Sequence, residues 1–323
     1  VAAEPDTAVG RLTVERLARW KRYLDEFYPN DYSGPRALIG EVGCPNTDQR
    51  WLDVLKEVYE WATDEWVEVA YWATGSKWGD YQLAPFEVSN GRITGVTAQG
   101  QVFLKHANSG KRGVNVSGLE WGGYPRVPHH DFLGDLSDYG VTFIRLPVSW
   151  ERINREAQLE TVERLLVSAE TVGLGVIVDV HNYARYDDVP IETRGQTTIL
   201  GLARTWSKIA RRLSGYDAVK GYGLMNEPFD LNAAYTLQGP LLWEEAARHC
   251  LTAIRLADRL TPVYLAPVAW GAVDSFEQYH GGTAILDDPH VIPEGHLYFD
   301  ADRTGGYRQT FDEVEARARE RGY

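Results

Sequence analysis

Eight short apolar, β-rich runs recur along the chain, and stretches of helical periodicity separate most of them. The runs are 37–42, 66–72, 112–117, 141–146, 174–180, 219–224, 262–266 and 290–298. The helical stretches are 13–27, 48–62, 129–139, 158–171, 198–213, 241–259 and 311–321. Strands that alternate with helices build parallel βα units, because each helix carries the chain back to the start of the next strand. Eight such units favour a sheet closed on itself over an open doubly wound one, so the expected fold is α/β, a (β/α)8 TIM barrel. A length of 323 residues suits one such domain covering the whole chain. A nucleotide-binding fold loses ground, since no GxGxxG follows the first run and no GxxxxGK[ST] loop occurs. The one long stretch without a helical pattern, 83–111, holds the turn-rich NGRITG and ANSGKRG and reads as a linker or small hairpin.

Charge and composition narrow the partners. A net charge of −13 repels phosphate instead of releasing counterions from it, which argues against nucleic acid. No run approaches the ~18 apolar residues of a membrane-spanning helix, and no basic amphipathic stretch suits an anionic bilayer. A neutral substrate fits, although acidity that serves only solubility is equally compatible. Eleven Trp and 18 Tyr offer flat faces for CH-rich sugar rings, each with a polar edge; most are expected to be ordinary packing. Cys44 and Cys250 are too few for a disulfide framework and allow one bridge at most. Neither lies in a metal-binding spacing, and no metal or organic cofactor is expected.

In a barrel of this kind the chemistry sits at the C-terminal ends of the strands. The polar residues that end the runs are Glu41, Trp72, Asn115, Arg145, His181 with Asn182, Asn226 with Glu227, Trp270, and His296 with Tyr298. Two carboxylates in one pocket can divide the work of glycoside cleavage, one protonated as acid and one ionised as nucleophile. Arg145 is placed to keep one of them charged, and Asn226 to hold a sugar 2-hydroxyl. Each residue has a plain alternative: a helix-start Glu before Pro, a structural Arg pair, a satisfied core His. The argument rests on their joint placement. His129 and His130 open a helical stretch and read as surface or capping residues, not as metal ligands.

Family resemblance enters at GYGLMNEPF (221–229), where Asn-Glu-Pro ends a run. This resembles the acid/base motif of glycoside hydrolase family 5. IGEVGCPN (39–46) resembles that family's nucleophile strand, the seventh, and YWATGSKWGDYQL (71–83) its eighth. GVNVSGLEWGG (113–123), FIRLPVSWERI (143–153), VDVHNYARY (178–186) and HLYFDADRTGGY (296–307) resemble its first, second, third and sixth. The resemblance implies Glu227 as acid/base and Glu41 as nucleophile, with the two carboxyls ~5 Å apart as in retaining enzymes. It places Arg145, His181, Asn226, His296, Tyr298 and Trp72 around the scissile bond, and makes Trp78, Trp121, Tyr183 and Trp270 candidate sugar platforms. The look is closest to endo-β-1,4-glucanases acting on a β-glucan oligo- or polysaccharide. Lys77 before Trp78, and Cys-Pro-Asn after Glu41, depart from that pattern.

The order of motifs is itself a departure. Strands that resemble the family's seventh and eighth come first, so the chain reads as a circular permutant whose ends meet between the sixth and seventh strands. This predicts that the Glu41 strand pairs in parallel with the His296 strand. It also predicts that Val1 and Tyr323 lie together, and that 83–111 joins the original ends as a hairpin beneath the barrel. A domain swap that completes the barrel in trans is the competing arrangement. Other substrates within the class (a small β-glycoside, another glycan or a glycoconjugate) and a non-catalytic carbohydrate-binding barrel remain alternatives. No leader is visible in the sequence; secretion is expected, with a cytoplasmic location as the alternative.

Overall fold

The structure, a computed structural model, describes residues 5–27, 35–75, 77–78, 81–107, 112–121, 127–191, 199–231, 239–280 and 287–323. Helix α1 (Ala8–Phe27) leads to β1 (Ala37–Val42), α2 (Gln49–Asp64) and β2 (Val67–Thr74). A hairpin of β3 (Phe86–Ser89) and β4 (Arg92–Val96) follows, then α3 (Ala98–Ala107) and β5 (Arg112–Val116). Next come α4 (His130–Asp138), β6 (Phe143–Val148), α5 (Trp150–Ile153), α6 (Glu156–Val172) and β7 (Gly175–Val180). A small hairpin, β8 (Arg185–Tyr186) and β9 (Val189–Pro190), precedes α7 (Ile199–Leu213) and β10 (Val219–Gly223). The chain ends with α8 (Gly239–Arg255), β11 (Val263–Leu265), α9 (Ser275–Tyr279), β12 (Val291–Leu297) and α10 (Phe311–Glu320).

The eight runs read as β are the eight strands of a closed parallel barrel, in the order β1-β12-β11-β10-β7-β6-β5-β2. Strands of such a barrel are covered on both faces, which is why they appear in sequence as continuous apolar runs. All six residues of β1 and all eight of β2 are buried. A small cluster of Leu38, Ala70, Phe143, Ile177, Tyr264 and Ile292, drawn from six strands, is separate from the main core. Helix ends follow local chemistry. Asp48 caps α2 by accepting from the Arg50 N–H, and Thr310 with Glu313 forms a capping box on α10.

β1 lies between β12 and β2 within one chain, with Glu41 opposite His296 and Ile39 opposite Val69. The ends of the described chain meet beside this seam. Glu315 on α10 accepts from the Ala8 and Val9 N–H groups at the start of α1, at 2.9 and 3.0 Å. Glu15 on α1 also lies close enough to Tyr323 to raise the pKa of its phenol. Val1 itself lies outside the described residues.

The stretch 83–111 holds a small hairpin, β3–β4, and differs from its reading in one way. It contains a helix, α3, whose sequence AQGQVFLKHA carries a helix-weakening glycine and little apolar periodicity. The hairpin β3–β4 packs along the outer helix α4. Arg92 and the Ile93 N–H both bond Asp135, and Phe86 tilts against Tyr139 at 5.5 Å. Residues 108–111 lie outside the described set. Cys44 and Cys250 are both free and buried.

Candidate active site

Glu41 and Glu227 arrive at the mouth of the barrel from β1 and from the turn after β10. One carboxylate oxygen of each, with Nδ1 of His296, forms a group whose members all lie within 4.8 Å of one another. The His296 Nδ1–H donates to Glu227 Oε1 at 2.7 Å and stands 3.7 Å from Glu41 Oε2. Tyr298, two residues further on, donates its hydroxyl to Glu41 Oε2 at 2.7 Å. Residues i and i+2 of a strand share a face, so β12 and its extension aim both donors at one point.

Arg145 on β6 is fully buried and organises the floor. Nη1 lies 3.2 Å from Glu41 Oε1 and donates to Asn115 Oδ1, while Nη2 donates to Asn226 Oδ1 at 2.8 Å. It also pairs with Asp179 at 3.1 Å and, through Nε, with Glu294 at 2.9 Å. Burial opposes its charge, but Asp179, Glu294 and Glu41 outweigh that and raise its pKa. Glu294 is held ionised below its ordinary range, because Arg145 and His296 overcome its burial. Its carboxylate fills the space beside Gly40, where a Cβ would overlap it.

Charge at Glu41 and His296 follows from their neighbours. Burial raises the Glu41 pKa and Glu227 adds to the rise; His296 and Arg145 pull it down. His296 is also buried, which disfavours its cation, yet Glu41, Glu227 and Glu294 push its pKa up to about 10. The imidazole is therefore a cation between two acids. His181 donates to Asp179 at 3.0 Å and lies flat on Trp72; burial again opposes its charge, and Asp179 raises its pKa.

Among the described residues, Glu41, Glu227 and His296 are the one group of at least three such side chains close enough to hold a metal ion. In this structure the three side chains contact one another directly, with His296 Nδ1 2.7 Å from Glu227 Oε1.

The aromatic candidates divide. Trp72 is buried with Trp78 against its edge, and Tyr81 is tilted on Trp78 at 4.3 Å. Tyr183 stands beside His181 and touches both Phe229 and Trp270. Trp270 is 51% exposed and stacks on Phe229 at 3.5 Å. Trp121 is 41% exposed, with the Lys77 ammonium 3.1 Å from its ring centre. A cavity of about 640 Å³ opens between Trp121, His181, Tyr183 and Glu151. Four site members escaped the sequence reading: Asp179, Glu294, Tyr81 and Phe229. The signal for the first two was spacing, since each lies two residues before a histidine at a strand end.

A closed parallel barrel with a carboxylate pair, a cationic His and a buried Arg at its strand ends defines a class: barrel hydrolases that cleave O-glycosyl bonds. A sequence model of cellulase (glycosyl hydrolase family 5) matches residues 97–323. The chain belongs to that family and is a glycosidase. It is 26% identical over 251 residues to Endoglucanase 1 of Saitozyma flava, across 70% of this chain and 71% of that one. It is also 26% identical to Endoglucanase EG-II of Hypocrea jecorina, across 61% of this chain and 54% of that one, so it spans little more than half of that relative. Pseudomonas stutzeri endoglucanase Cel5A superposes with a TM-score of 0.56 at 28% identity, covering 64% of this chain and 70% of its own; another structure of it holds cellobiose.

Proposed function

We propose that the chain is a retaining endo-β-1,4-glucanase in which Glu227 is the acid/base and Glu41 the nucleophile. The observation that carries the assignment is the approach of the two carboxylates within 4.8 Å at one barrel mouth, the spacing of a double displacement and too short for a water between them. Glu227 protonates the glycosidic oxygen as Glu41 attacks the anomeric carbon. The aglycone leaves, and a covalent glycosyl-enzyme remains. Glu227 then takes a proton from water, which attacks the same carbon and frees Glu41. Tyr298 and Arg145 orient Glu41. Asn226 Nδ2 is a buried donor without a protein partner, suited to the sugar 2-hydroxyl. The glucan substrate rests on the endoglucanase relatives and on the cellobiose bound by one of them. A polymeric substrate favours action outside the cell.

The strand order is proposed to be a circular permutation of the family's. Two observations support it: the family match begins at residue 97, after β1 and β2, and β1 closes the barrel against β12.

The test is a pair of variants on two substrates. Glu227→Gln should lose orders of magnitude in kcat/KM on a phenyl β-cellobioside and far less on the dinitrophenyl analogue, whose leaving group needs no proton. Glu41→Gln should lose both. Equal rescue of both variants would sink the roles, and a first-formed α-anomer by proton NMR would sink retention. Cleavage of cellopentaose only one residue at a time from an end would refute endo action.

A further inference from the structure

Glu227 stands in a left-handed backbone conformation, φ +44°, which a side-chain-bearing residue holds only when its surroundings impose it. Its neighbours in space share the condition: Tyr183 and Ala184 (φ +56° and +57°), Asp230 (+48°), Ala269 and Trp270 (+60° and +63°). Three loops, after β7, β10 and β11, thus meet in strained conformations around the acid/base.

One side chain joins two of these loops directly and the third through a ring. Arg185 Nη1 donates to the carbonyls of Tyr183 and Phe229, at 3.0 and 2.9 Å. Its guanidinium carbon lies 3.8 Å from the centre of the Phe229 ring. The same ring stacks on Trp270 at 3.5 Å and 14°. The backbone completes the frame, with the Tyr183 N–H bonded to the Asn226 carbonyl and the Trp270 N–H to the Pro228 carbonyl. Glu227 therefore sits in a segment whose two following residues are pinned by carbonyl bonds and by a three-layer stack of guanidinium, phenyl and indole. A planar guanidinium stacks on the ring while one of its nitrogens donates to both carbonyls; an ammonium has no flat face to stack.

We propose that Arg185 is a positioning residue for the acid/base: it clamps the 226–230 turn so that the Glu227 carboxyl is aimed at the glycosidic oxygen. The inference rests on Glu227 being the proton donor. It has a signature that plain structural damage or loss of a sugar platform lacks. A misaimed acid penalises only those substrates whose leaving group needs a proton.

The test is kcat/KM for phenyl and 2,4-dinitrophenyl β-cellobiosides with Arg185→Met, which keeps the stem and removes the fork. The expected result is a loss of ~100-fold on the phenyl glycoside, the scale of an ångström-sized misplacement, and under ~3-fold on the dinitrophenyl glycoside. Arg185→Lys should fall between wild type and Arg185→Met. Equal loss on both substrates, or no loss on either, overturns the inference. Should Arg185→Met fail to fold by circular dichroism, Phe229→Leu, which removes the stacked ring, is judged by the same asymmetry. Glu227→Gln run alongside separates the two layers of argument. If it shows the asymmetry and the Arg185 variant does not, the clamp alone is refuted; if it shows none, the acid assignment fails and the clamp with it.

Discussion

Tyr298→Phe is the most informative single-atom change beside Glu41, the proposed nucleophile. The hydroxyl donates to Glu41 Oε2 at 2.7 Å, and burial with the adjacent Glu41 charge keeps the phenol pKa well above its ordinary value, so it remains a donor. A hydrogen bond to a charged acceptor contributes roughly 1.5–3 kcal/mol. The bond favours the charged carboxylate, so its loss should raise the Glu41 pKa. Glu41 must be ionised to attack. The acid limb of kcat/KM against pH should therefore move to higher pH. The assay is a pH series on the dinitrophenyl cellobioside, which isolates nucleophilic attack from proton donation. An acid limb that does not move, with only a lower plateau, would refute the claim that Tyr298 stabilises the Glu41 anion.

Arg145→Met should cost about 3–5 kcal/mol of stability, since it leaves Glu41, Asp179 and Glu294 without their shared cation; urea denaturation measures it, and a neutral result contradicts the buried network. Glu57 on α2 is pushed up to about 7, by burial first and by Asp53 and Glu60 next. Its folded form holds a proton that the unfolded chain gives up at lower pH, so stability falls as pH rises from its ordinary range through 7. Glu57→Gln should then stabilise by about 1–2 kcal/mol at pH 8, after discounting for its half-wet position, and by little at pH 4; equal melting shifts at both would count against it. Chelator treatment should leave glucanase activity intact, because proton transfer and covalent attack by carboxylates need no metal; loss restored by one divalent ion would overturn that.

What the sequence disclosed follows from burial. A parallel barrel strand is apolar on both faces, so ALIGEV, GVIVDV and their like stand out, and the polar residue that ends each run falls at the mouth. Glu41, Arg145, Glu227 and His296 were legible on that ground. Glu294 was not, because a carboxylate inside VIPEGHL contradicts the apolar pattern until Arg145 is seen across the barrel. Asp179 was hidden the same way inside GVIVDV. The Arg185–Phe229–Trp270 stack draws on three loops from separate parts of the chain, and no local pattern encodes their meeting. Helix α3 was missed because its glycine and weak periodicity give no helical signature; tertiary packing, including Phe103 against Tyr71, decides it.

The seam between β1 and β12 also sets a timetable. Translation releases the strand that carries Glu41 long before the neighbour that completes its pairing, and that neighbour precedes the helix whose Glu315 caps α1. Until then β1 carries an open edge of backbone donors and acceptors, with β2 alone on its other side. Closure must await the last strand, so the longest-range contact of the barrel is also the one that makes the enzyme active. In a crowded cell that open edge is exposed to the β12 of a neighbouring nascent chain. Slower translation lengthens the exposure, and a lower density of ribosomes on the message reduces the chance of an exchange.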